Sequence, residues 1–108
     1  MQVVLNSSGY GALRVGPTGE QWWISRTMVR CSTRDNEAVC TMYQTNIGAN
    51  FQRDITYTGS TGDTSDTQFH ITDGDAMWLE WIGGDPGTTA TATISGTRSN
   101  PYGGFRAV

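Results

Sequence analysis

The hydrophobic residues of this chain follow the two-residue alternation of β-strands, and the clearest case lies at residues 76–96. Residues 76–82 (Ala-Met-Trp-Leu-Glu-Trp-Ile) are too few for a free-standing helix and rich in strand-favouring types. Residues 83–87 (Gly-Gly-Asp-Pro-Gly) supply turn chemistry, and residues 88–95 alternate β-branched with small side chains. The whole segment therefore predicts a β-hairpin.

The register of the predicted hairpin follows from its turn. If Ile82 faces Thr88, then Trp78 faces Ala92 four residues further along each strand. A tryptophan opposite an alanine interdigitates well, because a large side chain against a small one fills a core without overpacking it. The hairpin is thus expected to be a unit of one sheet.

The same alternation predicts five further strands and no helix. These strands cover residues 10–15, 21–33, 38–44, 51–57 and 69–71. Residues rich in Gly, Asn, Asp, Ser and Thr separate them, with a connection at 45–50 and a surface loop at 58–67. Short strands with turn signals about every ten residues predict an all-β fold, a single-domain antiparallel β-sandwich or jelly roll over residues 1–108.

The longest predicted strand changes parity part-way along. Trp22 and Ile24 share one face, whereas Val29 and Cys31 lie on the opposite parity. A β-bulge at residue 25 or 26 would bring all four side chains to the core side. The sequence therefore predicts a bulge there.

Two cysteines, Cys31 and Cys40, lie on neighbouring predicted strands. If residues 27–33 and 38–44 form a hairpin, these cysteines are directly opposite, with Cα atoms about 4.5 Å apart at a non-hydrogen-bonded site. Two hypotheses stay open, a disulfide or two reduced thiols that fill space in the core. A zinc site would need two more ligands, and the chain has one histidine, so we expect no metal site and no cofactor.

The charge pattern argues against nucleic-acid and membrane partners. All seven basic residues are arginines scattered along the chain, and the net charge is −3. No apolar run approaches the ~20 residues of a membrane span. The first residues lack the basic start and apolar middle of a secretion signal, so we expect synthesis in the cytoplasm.

Catalytic chemistry has few candidates in this sequence, and we expect no enzyme. Ser-His-Asp catalysis would have to use His70, yet no Gly-x-Ser-x-Gly turn presents a serine. The carboxylate pairs at residues 63 and 66 and at residues 73 and 75 suit calcium binding or glycoside hydrolysis in principle. Asp beside Gly is also an ordinary turn former, and that interpretation is favoured.

The tryptophans are a stronger signal for binding. Trp22 and Trp23 are adjacent, so a strand sends one inward and one outward, and Trp78 and Trp81 also differ in parity. An exposed tryptophan can stack on a sugar ring or anchor a protein interface. Coverage of both sheet faces in an assembly is favoured over sugar binding.

Several segments resemble small all-β virion proteins of tailed phages that infect actinobacteria. They are residues 15–24 (Val-Gly-Pro-Thr-Gly-Glu-Gln-Trp-Trp-Ile), Gly74-Asp75, the strand at 78–81 and Pro86-Gly87. The resemblance covers most of the chain through loose turn-and-strand patterns. It implies a non-enzymatic role as a capsid decoration or minor tail protein, located in the virion, and it offers no catalytic residues.

From this resemblance we expect a homo-oligomer that binds the major capsid or tail proteins. Edge-strand pairing and aromatic contacts would provide the binding, through Trp23 and through a docking tail at residues 97–108 that carries Tyr102 and Phe105. The alternative hypothesis is a carbohydrate-binding module that stacks a glycan on an exposed tryptophan, with Trp23 as the candidate.

Overall fold

The computed structural model describes residues 1–46, 49–57, 62–99 and 105–107, which form ten β-strands and no helix. The strands are β1 (Gln2–Val4), β2 (Gly11–Val15), β3 (Gln21–Cys31), β4 (Val39–Asn46), β5 (Ala49–Tyr57), β6 (Asp63–Ser65), β7 (Phe69–Ile71), β8 (Ala76–Ile82), β9 (Thr89–Ser99) and β10 (Phe105–Ala107).

These strands build two antiparallel sheets packed face to face, so the predicted all-β sandwich is confirmed. The first sheet has the order β1-β9-β3-β6, with β10 also paired to β9 and β7 also paired to β3. The second sheet has the order β2-β8-β4-β5. The inward residues of both sheets form one core, which includes Ile24, Val29, Phe69, Ala90 and Ala92 from the first and Cys40, Met42, Met77, Leu79 and Trp81 from the second.

The predicted bulge in β3 is confirmed. Ile24 faces Gly96 and Arg26 faces Ser95, so Ser25 is the extra residue in β3. Beyond the bulge Val29 and Cys31 are buried with Ile24, and Trp22 packs against the same core. The bulge thus corrects the parity of an 11-residue strand.

The predicted hairpin at residues 76–96 is wrong, because its two strands lie in different sheets. β8 lies between β2 and β4, where Trp78 faces Tyr43, whereas β9 pairs with β3, where Ala92 faces Val29. Residues 83–88 therefore cross from one sheet to the other. Both strands turn an apolar side to the core, so an arch over the core satisfies the same alternation as a hairpin.

The predicted pairing of Cys31 with Cys40 is wrong for the same reason. β3 belongs to the first sheet and β4 to the second, so Cys31 faces Ala90 and Cys40 lies between Trp81 and Thr56. Both thiols are free and fully buried. The two cysteines fill opposite layers of the core.

The chain crosses between the sheets after β3 and after β8, and one carboxylate joins these two crossing segments, which we call arches. Asp85 accepts hydrogen bonds from the backbone N–H groups of Arg34 (2.9 Å), Asp35 (2.8 Å) and Asn36 (3.1 Å), and from the Asn36 amide (2.8 Å). Its own N–H donates to the buried Thr33 hydroxyl at 2.9 Å. The turn after β8 thereby holds the turn after β3.

Three predicted segments contain more strand than the sequence indicated. The connection at 45–50 is mostly a continuation of β4 and β5, and the loop at 58–67 contains β6. β9 runs on to Ser99, and the described end of the tail, β10, pairs back with it. The extension of β9 was missed because Gly96 and the polar residues around it signal a turn.

Candidate interaction surface

The outer face of the second sheet carries an unusual number of apolar and aromatic side chains. We define this outer face by two rows that cross β2, β8, β4 and β5. The first row is Arg14, Trp78, Tyr43 and Gln52, and the second is Ala12, Glu80, Thr41 and Ile55. It continues to Val39 and Ile82 at one end of the sheet.

Trp78 and Tyr43 form an aromatic pair at the centre of the outer face. Their ring centroids lie 5.2 Å apart with the planes tilted by 33°, within the range of favourable aromatic contacts. Both side chains are half-buried. They point outward because Met77, Leu79 and Met42 take the inward positions of β8 and β4.

Two isoleucines extend the apolar surface beside this pair. Ile55 and Ile82 are each 49% exposed, and Val39 between their strands is half-buried. Most antiparallel sheets that face solvent place polar residues outward. A cluster of apolar and aromatic side chains on the outer face of a sheet is typical of a surface that a partner covers.

Charge on the outer face is limited and internally compensated. Arg14 and Glu80 are its charged residues within the described part of the chain. The Tyr10 hydroxyl donates to Glu80 at 3.1 Å. Partial burial raises the pKa of Tyr10, and the bond to Glu80 raises it further, so the phenol stays protonated and remains a donor.

The outer face of the first sheet is more polar, although Val4 (60% exposed) and Met28 (43% exposed) also lie on it. Thr91, Thr93 and Ser95 of β9 alternate outward beside Arg26 and Arg30 of β3. An open groove of about 470 Å³ on this face is lined by Met28, Arg30, Asp63, Gly62, Thr64, Thr91, Thr93 and Val29. Hydroxyl and charged groups suit contact with water, so the two outer faces differ in kind.

Trp23 lies on this polar face of the first sheet, half-buried against His70. The two rings stack with centroids 4.7 Å apart and planes 9° apart. His70 Nε2 also lies 2.7 Å from Gln21 Oε1. The predicted inward and outward split of Trp22 and Trp23 is confirmed, but one face of the Trp23 ring is used by His70.

The two other predicted interface aromatics receive less structural support. Tyr102 lies outside the described residues. Phe105 begins β10, whose backbone pairs with Ser99 at the end of β9. Within the predicted docking tail, residues 97–99 and 105–107 pair with strands of the first sheet instead of extending away from it.

The aspartates weighed as calcium or catalytic pairs hold loops and strands. Asp73 accepts the Gly19 N–H at 2.8 Å and Asp75 accepts the Thr72 hydroxyl at 2.7 Å. In the other pair, Asp66 forms an ion pair with Arg26, with Arg26 Nε 3.0 Å from Asp66 Oδ1. Within the described residues no group of three or more His, Cys, Asp or Glu side chains is arranged to hold a metal.

The buried thiols give a direct chemical test of the core. Burial raises the pKa of Cys40 to about 12, so its reactive thiolate form is scarce at neutral pH. We expect an aromatic disulfide reagent to titrate no thiol in the native protein and two per chain after denaturation without reductant. No thiol after denaturation would show the disulfide of the other hypothesis and contradict the free cysteines.

Comparison with known proteins finds no matching family model, no matching curated protein and no matching solved structure. No helix in the described ranges has the length and apolarity needed to cross a membrane.

Sequence reasoning singled out Trp23 and missed the outer face of the second sheet. The parity difference between Trp78 and Trp81 did predict that one of them faces outward. The proximity of Trp78, Tyr43 and Ile55 depends on the pairing of β8 with β4 and β4 with β5. The sequence assigned β8 to β9 instead, so this cluster could not be assembled.

Proposed function

We propose that this chain is a non-enzymatic structural protein of a phage particle, which docks on the capsid or tail through the outer face of the second sheet. The observation that carries the proposal is the unpartnered apolar surface formed by Trp78, Tyr43, Ile55, Ile82 and Val39. Its partner would be a major capsid or tail protein.

The energetics support docking through this surface. Full burial of an isoleucine contributes about 1.5–3 kcal/mol, so covering the exposed halves of Ile55 and Ile82 would contribute about 1 kcal/mol each. Aromatic residues such as Trp78 and Tyr43 are frequent hot spots at protein interfaces. The neutral balance of Arg14 and Glu80 adds no repulsion toward a partner.

The phage assignment is supported by the turn and strand motifs at residues 15–24, 74–75, 78–81 and 86–87. A compact sandwich whose described carboxylates hold loops together fits a particle-stabilising role. The same proposal includes synthesis in the host cytoplasm followed by incorporation into the virion. Capsid and tail locations differ in copy number, which an experiment can measure.

The test compares two aspartate substitutions at half-exposed positions on opposite outer faces. Ile55→Asp is expected to lower particle occupancy at least tenfold, because a charge must be desolvated at the docking surface. Met28→Asp, on the polar face and 43% exposed, is the matched control and should leave occupancy unchanged.

Mass spectrometry of purified particles gives the readout, with thermal melting to check that both variants fold. Hundreds of copies per particle indicate decoration, and a handful indicate a tail component. Equal occupancy of the two variants, or loss only with Met28→Asp, would contradict docking through the second sheet. Deleting residues 97–108 is a poorer test, because it removes strand pairs of the first sheet.

Carbohydrate binding at Trp23 is the alternative proposal. Trp23 is half-buried on the outer face of the first sheet, and a tryptophan ring in such a position can stack on a sugar. Glycan-array binding by a monomer, lost in Trp23→Ala and kept in Ile55→Asp, would favour this alternative over particle docking.

A further inference from the structure

One long side of the sandwich has its edge N–H groups capped by neighbouring carboxylates. On β5 the Ile55 N–H donates to Asp54 at 2.8 Å, and on β6 the Thr64 N–H donates to Asp63 at 2.8 Å. Both N–H groups belong to edge strands and point away from the sheet. The caps occupy donors that another strand would need for pairing.

Carbonyl groups on the same side are capped as well. The Gln44 amide donates to the His70 carbonyl at 2.8 Å, and the Arg53 guanidinium donates to the Gln68 carbonyl at 3.0 Å. β5 also bulges at Arg53, where its register against β4 shifts. This side of the sandwich is therefore blocked against strand addition.

The opposite side leaves the edge of β2 open. Tyr10 bonds Asn6 through both its N–H (3.1 Å to Oδ1) and its C=O (2.8 Å), on the side away from β8. Backbone groups alternate direction along a strand, so those of Ala12 and Arg14 also point away from β8. Within the described residues, no hydrogen bond caps these four groups.

We infer that β2 pairs antiparallel with β2 of a second copy, which joins the two second sheets into one eight-stranded sheet. The neighbouring open strand β1 is only three residues long, against five for β2. β2 can supply two complete hydrogen-bonded residue pairs, and thus four backbone bonds, to an identical strand.

Self-pairing of β2 has one favoured register, centred on Leu13. It places Ala12 opposite the partner's Arg14, so each long side chain meets a small one. A shift that opposes the two Arg14 side chains brings like charges together. A shift that opposes the two Ala12 residues needs Tyr10, whose backbone groups already bond Asn6.

The same register also buries apolar surface on the inner side. Leu13 is half-buried at the edge of the core and would lie directly opposite the partner's Leu13. Such a non-hydrogen-bonded pair brings the side chains closest together. The dimer would complete the cover of Leu13 that the single chain leaves open.

This inference deepens the proposed function, since it names how copies associate. The outer faces of the two second sheets would point the same way and form one continuous docking surface. One four-stranded face is only about 15–20 Å wide at the usual strand spacing, which is small for a stable interface. Doubling that surface would strengthen attachment to a particle.

The first test measures the mass of the full chain by light scattering over a concentration series. The wild type is expected to approach twice 11.7 kDa, and Ala12→Pro should raise the dimer dissociation constant at least tenfold. Proline removes an N–H that points away from β8, so the bonds to β8 remain. Gln2→Pro on β1 and Ala12→Thr are controls that should still dimerise.

A cross-linking test does not depend on how well the proline variant folds. Hydrogen-bonded antiparallel pairs place Cα atoms about 5.5 Å apart, which suits a disulfide. The double variant Ala12→Cys with Arg14→Cys should therefore form a covalent dimer on oxidation, and neither single variant should. The native cysteines are fully buried and do not compete.

Several results would overturn the inference. They are a wild type that stays monomeric at all concentrations, a dimer that Ala12→Pro leaves intact, or a double cysteine variant that does not cross-link. Particle docking is decided separately by Ile55→Asp. A dimer absent from particles would defeat only the proposed function, and a monomer bound to particles would defeat only this inference.

Discussion

Replacing Gly96 with alanine is expected to destabilise the fold by about 3 kcal/mol, a large share of the 5–15 kcal/mol that stabilises a typical domain. A Cβ at Gly96 would lie 1.9 Å from the Trp23 carbonyl oxygen and 2.9 Å from the Ile24 Cα. Both neighbours are backbone atoms at the bulge of β3, so relief requires the two strands to separate.

Chemical denaturation of Gly96→Ala and the neighbouring Ser95→Ala measures this effect. Ser95 is exposed and faces outward, so its substitution should change the free energy of unfolding by less than about 0.5 kcal/mol. Equal stability of the two variants would contradict the close approach of β9 to the bulge.

Replacing Asp85 with alanine is expected to lower the melting temperature by several degrees. The substitution leaves the N–H groups of Arg34, Asp35 and Asn36 without their acceptor. It therefore removes the hydrogen bonds that connect the arch after β8 to the arch after β3. Asp73→Ala is a matched control, because Asp73 accepts a single bond between turns, from Gly19. Its melting temperature should fall much less.

The effect of Asp85 should also depend on pH. Hydrogen bonds from Asp35 and Arg34, and then from Asn36, hold the pKa of Asp85 well below its usual range. A carboxyl whose pKa is lower in the folded state than the unfolded value of about 3.9 stabilises the fold above that pH. This stabilisation is lost as the pH falls toward the folded pKa.

Thermal melting from neutral to acidic pH tests the sign of this effect. The difference in melting temperature between wild type and Asp85→Ala should be constant near neutrality and shrink below about pH 4. A difference that grows in acid would mean that the carboxylate does not hold the arches in its charged form.

The alternation of side chains predicted much of this fold. It located the bodies of β2, β3, β4, β5, β7, β8 and β9, and the parity change between Ile24 and Val29 predicted a bulge at residue 25 or 26, which the structure has at Ser25. These features depend on neighbours along the chain. The bulge could be predicted from the sequence because the apolar residues of two stretches of one strand must face the same core.

The assignment of strands to sheets could not be obtained from alternation. A turn between two strands with apolar inner faces fits a hairpin within one sheet or an arch across the core. The chain uses arches after β3 and β8, and the contacts of Asp85 with Arg34 and Asp35 that hold them are long-range. The sequence of residues 83–87 alone does not predict those contacts.

The candidate surface was predictable only in part, for the same reason. Outward direction is a local property, so Trp23 and one of Trp78 and Trp81 were expected to face outward. The neighbours of Trp78 on the outer face depend on strand order, which puts Tyr43 beside it and Ile55 in the next row. Strand order therefore decides which outer face is apolar.

The most direct test of docking by the second sheet is hydroxyl-radical footprinting of the free chain and of purified particles that contain it. We predict that Trp78 and Tyr43 lose most of their labelling in the particle, whereas Met28 on the first sheet is labelled as in the free chain. Unchanged labelling of Trp78 and Tyr43, with protection at Met28, would contradict the account.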